Sequence, residues 1–444
     1  MNYIDNRRLK LSTRLADPHL REMLIGSIIG LSIKVLAAIS IFVMNIVVAR
    51  TLGAAEAGLF FLGFTLITIA AAVGRLGLDQ TVVRFIAAQQ ATDAIGALHG
   101  VYRKSIVWVA LASTGLALLG WVNIEWLVKN LFDQPGFEPV LRSFLLAIPL
   151  VALYTMQAQA LQGLREITKS MLTLNVFVPV TVLLLMLLIP VTSAAALASY
   201  FNIACLLTLT VALIFWFKSA PRKNTTESFP SDLLRRTCIP LWAVAVLSQV
   251  VQWSSQLMLG TWSTSDEVAF FATAQRTAML TSFVLFAVNA IAAPKFAAMY
   301  ARGDSKGLKR LSITSVRLML LAAVPALTLM LFFPEWLMSF FGEEFRVAST
   351  ALVILSIGQF VNIATGSVGY LLSMTGLERK VRDNAFFSAL IGVALGLALI
   401  PNYGLIGASV ATALAIASQN LLGVYQVRKH LGFNTLIFWQ SRDL

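Results

Sequence analysis

Residues 25–49 read IGSIIGLSIKVLAAISIFVMNIVVA, an apolar stretch with one charge, Lys34. At 1.5 Å rise per residue a helix of this length spans about 37 Å, more than the ~30 Å hydrocarbon core of a bilayer. A soluble protein would have to cover such a helix with polar surface elsewhere. The chain does not have that surface: 58% of its 444 residues are hydrophobic and 12% are charged, against about 25% charged in a soluble domain. The stretch therefore reads as a membrane span. It follows a long polar arm and is about twice the length of a signal-peptide core, so it is expected to remain as the first span.

Eleven further runs of the same kind follow, at about 57–74, 106–122, 144–161, 171–189, 194–217, 239–262, 268–293, 318–333, 348–374, 385–400 and 405–427. They are continuous rather than alternating, which excludes an outer-membrane barrel. The expected fold is all-α, a polytopic membrane protein with twelve transmembrane helices. Of the 34 Lys and Arg, nearly all fall in alternate gaps between the runs. The opposite gaps hold only Arg50, Lys129, Arg142 and Arg346, and Lys34 and Arg276 lie inside spans. By the positive-inside rule both termini are cytoplasmic. The net charge of +13 belongs to these loops, so no nucleic-acid partner is expected. Cys205, Cys238 and the three histidines have no ligand spacing, and no metal or cofactor is expected.

The longest polar connection, KSAPRKNTTESFPSDLLRR at 218–236, falls at mid-chain. It divides the protein into an N-terminal lobe (1–217), a cytoplasmic linker (218–236) and a C-terminal lobe (237–444). The halves resemble each other. LGAAEAGLFF at 52–61 matches WSTSDEVAFF at 262–271, with Glu56 opposite Asp266, and LQGLRE at 161–166 matches MTGLER at 374–379, with Gly163 opposite Gly376. Six spans per half give both halves one orientation, a parallel repeat about an axis along the membrane normal, with a central cleft between two lobes that rock.

A cation near the bilayer centre costs about 2.5–3.5 kcal/mol. Lys34 and Arg276 must each face water, a counter-charge or an anionic substrate, and no Asp or Glu lies at similar depth. A cleft with these two residues is cationic and fits a phosphate or diphosphate cargo. Asn45 shares a helix face with Lys34. Gln249, Gln252 and Gln256 form one stripe, and Gln157 lies on another with Tyr154 and Gln162. Amides of this kind either bind sugar hydroxyls or join helices to one another, and the sequence leaves both readings open. No P-loop, HExxH or nucleophile elbow is present, so the chain is not expected to be an enzyme.

Several segments resemble the Wzx-type polysaccharide flippases of the multidrug/oligosaccharidyl-lipid/polysaccharide exporter superfamily. They are ARTLGAAEAGLFF, GLDQTVVRFIA, ALQGLRE, FFGEEF, LLSMTGLER and PNYGLIGASVAT. The resemblance covers essentially the whole chain. It implies that an undecaprenyl-diphosphate-linked oligosaccharide moves from the inner to the outer leaflet of a bacterial cytoplasmic membrane, its headgroup in a basic cleft and its tail in membrane lipid. Lys34 and Arg276 are the positions that match the family's basic lining. A polysaccharide polymerase and a chain-length regulator would be partners. A drug exporter of the same fold, or a non-transporting component of a polysaccharide synthesis complex, is the alternative.

Overall fold

The computed structural model of the protein describes residues 18–134, 136–221 and 229–436. The basic N-terminal arm, residues 222–228 of the central connection and Arg442 lie outside that range. The described residues are helical, without a strand. In the first half the helices are α1 (Pro18–Gly74), α2 (Leu78–Ala91), α3 (Ile95–Val122), α4 (Phe137–Leu145), α5 (Ala147–Gly163), α6 (Ile167–Asn175), α7 (Phe177–Leu188) and α8 (Ala194–Ser219). The second half contributes α9 (Ser231–Trp262), α10 (Ser265–Met279), α11 (Ser282–Ala301), α12 (Ser305–Phe332), α13 (Ser349–Thr365), α14 (Val368–Met374) and α15 (Glu378–Leu431).

Nine helical stretches among these residues are long and apolar enough to cross a membrane, and α6 with α7, bent by 45°, makes ten. Two of the nine are too long for a single crossing. α1 has 57 residues and α15 has 54, about 80–85 Å of helix. Each is interrupted by one glycine outside helical geometry, Gly53 (φ 71°) and Gly404 (φ 45°). A count of twelve requires both helices to turn back at these glycines. Gly404 is constrained twice, because a Cβ there would also lie 2.3 Å from Glu267 Oε2.

The two halves share local geometry at a nearly constant offset. α3 and α12 are both 28 residues long and start 210 residues apart, at Ile95 and Ser305. Before each start a positive-φ residue, Asp93 or Gly303, makes the same turn. Arg165 (φ 64°) and Gly376 (φ 78°) end α5 and α14 with matching hydrogen bonds, Glu166 N–H to Leu161 O and Leu377 N–H to Leu372 O. The predicted pairing of Gly163 with Gly376 is therefore shifted: the residue equivalent to Gly376 is Arg165. The predicted pairing of Glu56 with Asp266 is also off by one. Glu56 Oε2 accepts from Ala194 N–H at 2.6 Å and Glu267 Oε2 from Leu405 N–H at 2.9 Å, so Glu267 is the counterpart. Both carboxylates cap an orphan amide where a helix begins. Losing either acceptor strands a donor at a cost of about 1–2 kcal/mol. Glu56→Ala and Glu267→Ala should each lower the thermal midpoint in detergent by about 1–3 °C, with Glu56→Gln closer to the parent. An unchanged midpoint in both alanine variants would remove the capping role.

Further differences from the sequence reading are local. α2 is an amphipathic helix in the gap between the apolar runs at 57–74 and 106–122; it buries Leu78, Val82 and Ile86. The run at 171–189 is broken at Val176, and the run at 268–293 is broken between Met279 and Ser282. The break at Val176 puts Asn175 beside a cavity, and the break at Met279 does the same for Ser282.

Candidate functional site

The second part of α1, beyond Gly53, packs along both α9 and α10. Small residues allow the approach: a Cβ on Gly58 would lie 1.8 Å from Ser265 O, and one on Gly260 would lie 2.4 Å from Leu62 Cδ1. At this end the halves grip each other reciprocally. Gln134, from the first half, donates to Gly260 O at 3.2 Å and Ser263 O at 2.5 Å in the α9–α10 connection. Glu344, from the second half, accepts from Ala54 N–H at 2.8 Å, and Arg50 Nε donates to Phe340 O at 2.6 Å. The latch thus joins each half to the opening hairpin of the other.

Below the latch lies a cavity of 290 Å³ between α1, α5, α6, α7 and α8 on one side and α9, α10 and α11 on the other. Phe60, Phe61, Phe64, Phe201, Trp253, Phe283 and Phe286 give it an aromatic wall. Its polar groups are Asn45, Tyr154, Asn175, Ser282 and Arg276. Arg276 is the only charged residue of the lining. Its guanidinium carbon sits 4.2 Å from the Phe61 ring centroid, 5.6 Å from Phe64 and 5.8 Å from Trp253. Cation–π attraction of up to about 2 kcal/mol offsets part of the cost of placing the charge there. No ion pair reaches Arg276 among the described residues, and its Nη1 is buried without a hydrogen-bond partner. Asn45 and Asn175 donate their side-chain N–H groups to Ile41 O (2.8 Å) and Met171 O (3.0 Å) in their own helices. Each then has its carbonyl oxygen left to offer. The arrangement combines one unpaired planar cation with two amide acceptors over aromatic faces. Such a set binds an anion through Arg276 and accepts hydroxyl protons through the asparagines.

The seven predicted site residues divide accordingly. Arg276 and Asn45 line the cavity. Lys34 does not: it is half-buried at the α1–α11 seam, 4.7 Å from the ring of Phe286, which is a lining residue. The four glutamines are also outside the lining. Gln157 is fully buried and accepts from Tyr102 Oη at 2.8 Å, holding α3 to α5. Gln256 is fully buried and donates to Phe61 O at 3.0 Å, holding α9 to α1. Gln252 supplies its backbone oxygen to Gln275 at 2.8 Å and its amide to Met279 S at 3.0 Å. Gln249 is half-buried with its Oε1 unpartnered. In this geometry Gln157 and Gln256 join helices and lie outside the lining, each with its other amide atom buried without a partner. A three–four spacing marks a polar stripe but not whether the stripe meets the cleft or a neighbouring helix.

Phe61, Phe64, Asn175 and Ser282 line the cavity but carried no sequence signal toward it. The phenylalanines look like lipid-facing residues in an apolar run. Asn175 and Ser282 reach the cavity only because their helices are broken there.

A protein-family model described as "Polysaccharide biosynthesis protein" matches residues 23–300, more than half of the chain. The chain belongs to this family. A second model, MatE, matches residues 240–403. Among curated relatives the chain is 25% identical over 382 residues to the probable low-salt glycan biosynthesis flippase Agl15 of Haloferax volcanii, covering 84% of this chain and 77% of that one. An uncharacterised membrane protein of Methanocaldococcus jannaschii, MJ1068, is 21% identical over 426 residues, covering 89% and 82%. Among solved structures, an inward-facing multidrug resistance MATE family transporter of the MOP superfamily aligns with TM-score 0.74 at 17% identity, covering 91% of this chain and 98% of that one. The lipid II flippase MurJ in an inward closed conformation aligns at 0.73 with 13% identity, covering 91% and 87%. The chain thus shares the fold of these two membrane proteins, and its described helices are long and apolar enough to cross a membrane many times.

Proposed function

We propose that this protein is a flippase, which moves an undecaprenyl-diphosphate-linked oligosaccharide from the inner to the outer leaflet of a bacterial cytoplasmic membrane. The observation that carries the reading is the unpaired Arg276 guanidinium, in a lined cavity with no carboxylate of its own. A diphosphate supplies the missing counter-charge and the acceptors for Nη1. In this reading the cleft lies between two six-helix lobes, 1–217 and 237–444, joined by the linker at 218–236. Twelve spans leave both termini in the cytoplasm, and the latch at Gln134 and Glu344 faces outward. Lys34, at the α1–α11 seam beside Phe286, provides a second positive charge as the headgroup moves. The lipid tail stays in the bilayer along that seam, where Val35, Leu36, Ile39 and Val43 are exposed. A polysaccharide polymerase and a chain-length regulator would receive the cargo.

A cavity for organic cations would need a buried carboxylate, and the only charge in this lining is a cation, which disfavours a drug exporter. The test is a leaflet assay on proteoliposomes. The protein should translocate undecaprenyl-diphosphate oligosaccharide and leave a glycosylated lipid without phosphate in its original leaflet. Equal transfer of both, or of neither, would sink the reading.

A further inference from the structure

The second half contains a pocket that the first half lacks the residues to form. It measures 180 Å³ and lies among α13, α14 and α15, with Asn362, Asn384, Gln419 and Asn420 as its polar lining and Gly369 and Gly423 in its wall. The internal repeat provides a control. At the 211-residue offset that pairs Leu161 with Leu372 and Ala194 with Leu405, Gly369 and Gly423 correspond to Ala158 and Ala212. Asn384, Gln419 and Asn420 correspond to Thr173, Thr208 and Leu209. In the first half Ala158, Thr173, Thr208 and Ala212 are all at most 1% exposed. The second half has lost two methyl groups and gained three amides at the same places. At Gly423 the missing methyl makes room for Val368, whose Cγ2 would lie 2.7 Å from a Cβ there, whereas a Cβ at Gly369 would meet nothing within 4 Å; packing therefore gives no reason for Gly369 or for the three amides, which are costly to bury.

The pocket is also wired to the Arg276 cavity. Ser282, which lines that cavity, donates to Gln359 Oε1 at 3.0 Å, and Asn362, which lines the pocket, donates to the same oxygen at 3.2 Å. Asn420 gives its N–H to Ile416 O at 2.9 Å. Asn362 and Asn420 therefore offer carbonyl oxygens to an incoming hydroxyl donor. The volume is that of about six waters at ~30 Å³ each. A bare cation would sit in low dielectric with no carboxylate among the lining residues to balance it. A neutral, hydroxyl-rich ligand needs no such balance and can donate to the free carbonyl oxygens of Asn362 and Asn420, while the Asn384 amide bonds Lys380 O and Gly423 N–H and holds the wall.

We infer that the amide pocket formed by Asn362, Asn384, Gln419 and Asn420 is a sugar subsite. It holds one pyranose ring of the cargo in the second lobe while the diphosphate sits with Arg276. This rests on the flippase reading above and deepens it. The test uses full-length protein and two probes, undecaprenyl diphosphate alone and undecaprenyl diphosphate bearing a hexose disaccharide, with binding read by native mass spectrometry. A Cβ at Gly369 meets nothing within 4 Å, so Gly369→Leu fills the pocket without a backbone clash. The double variant Gln419→Thr/Asn420→Leu installs the first-half residues instead. Both are expected to weaken the disaccharide probe about tenfold and to leave the bare diphosphate within twofold of the parent. Equal weakening of both probes, or no weakening of either, overturns the subsite. So does a parent that prefers Na⁺ over K⁺ for binding in a manner that Asn420→Leu abolishes, since the amides would then hold a cation. If the parent binds neither probe, the flippase reading fails and the subsite fails with it.

Discussion

Arg276→Ala is expected to reduce translocation of a lipid-diphosphate oligosaccharide by about 100-fold, a loss of about 2.7 kcal/mol, in the range for a charge-assisted hydrogen bond removed from a partly desolvated site. Arg276→Lys should recover part of that. Lysine keeps the charge but not the planar fork or its stacking on Phe61. A second readout separates function from folding. The guanidinium has no ion-pair partner among the described residues and an unpartnered Nη1, so an apolar side chain of similar length removes a charge that is costly to bury. Arg276→Met should therefore raise the thermal midpoint while it abolishes transfer. A residue kept only for packing would lose stability on the same change. Full transfer by Arg276→Ala would end the proposal that this side chain meets the diphosphate.

The second large effect is expected at Gly58. Its missing Cβ lets the hairpin of α1 meet the start of α10, with Ser265 O where that Cβ would stand, 1.8 Å away. The obstacle is backbone, so a rotamer change cannot relieve it. Gly58→Leu must separate the halves at the latched end and strain the contacts from Gln134 to Ser263 O and from Glu344 to Ala54 N–H. The closed state is then disfavoured, and a transporter that cannot close one side cannot complete a cycle. In a Phe61→Cys background, a membrane-impermeant thiol reagent added from the latched side should react at least about tenfold faster when Gly58→Leu is present. Cys205 and Cys238 are both buried and give a low background. Transfer should fall to near zero. An unaltered labelling rate would mean that the halves do not part at Gly58.

The expected and observed sites differ in an instructive way. Arg276 and Asn45 both line the cavity; the first is a charge with few tolerable positions in lipid, and the second follows Lys34 by three helical turns. Gln157 and Gln256 had equally good periodicity, yet one serves Tyr102 and the other the carbonyl of Phe61. An amide that bonds a neighbouring helix and an amide facing a cleft have the same spacing in sequence. Asn175 and Ser282 needed the breaks at Val176 and Met279, whose positions depend on packing.

The amino-acid chain by itself settled that this protein lives in a bilayer, because apolar run length and charge density are additive along the chain and need no knowledge of contacts. It also revealed the repeat, since short motifs recur near an offset of 210 residues, although only hydrogen-bond geometry aligned Glu56 with Glu267. Which polar groups face a cavity, how the halves latch, and that the second half gathers its amides around a pocket are properties of pairs of helices distant in sequence. Those pairings are chosen by small-residue approach and by the need to satisfy every polar group out of water, and only the folded arrangement decides them.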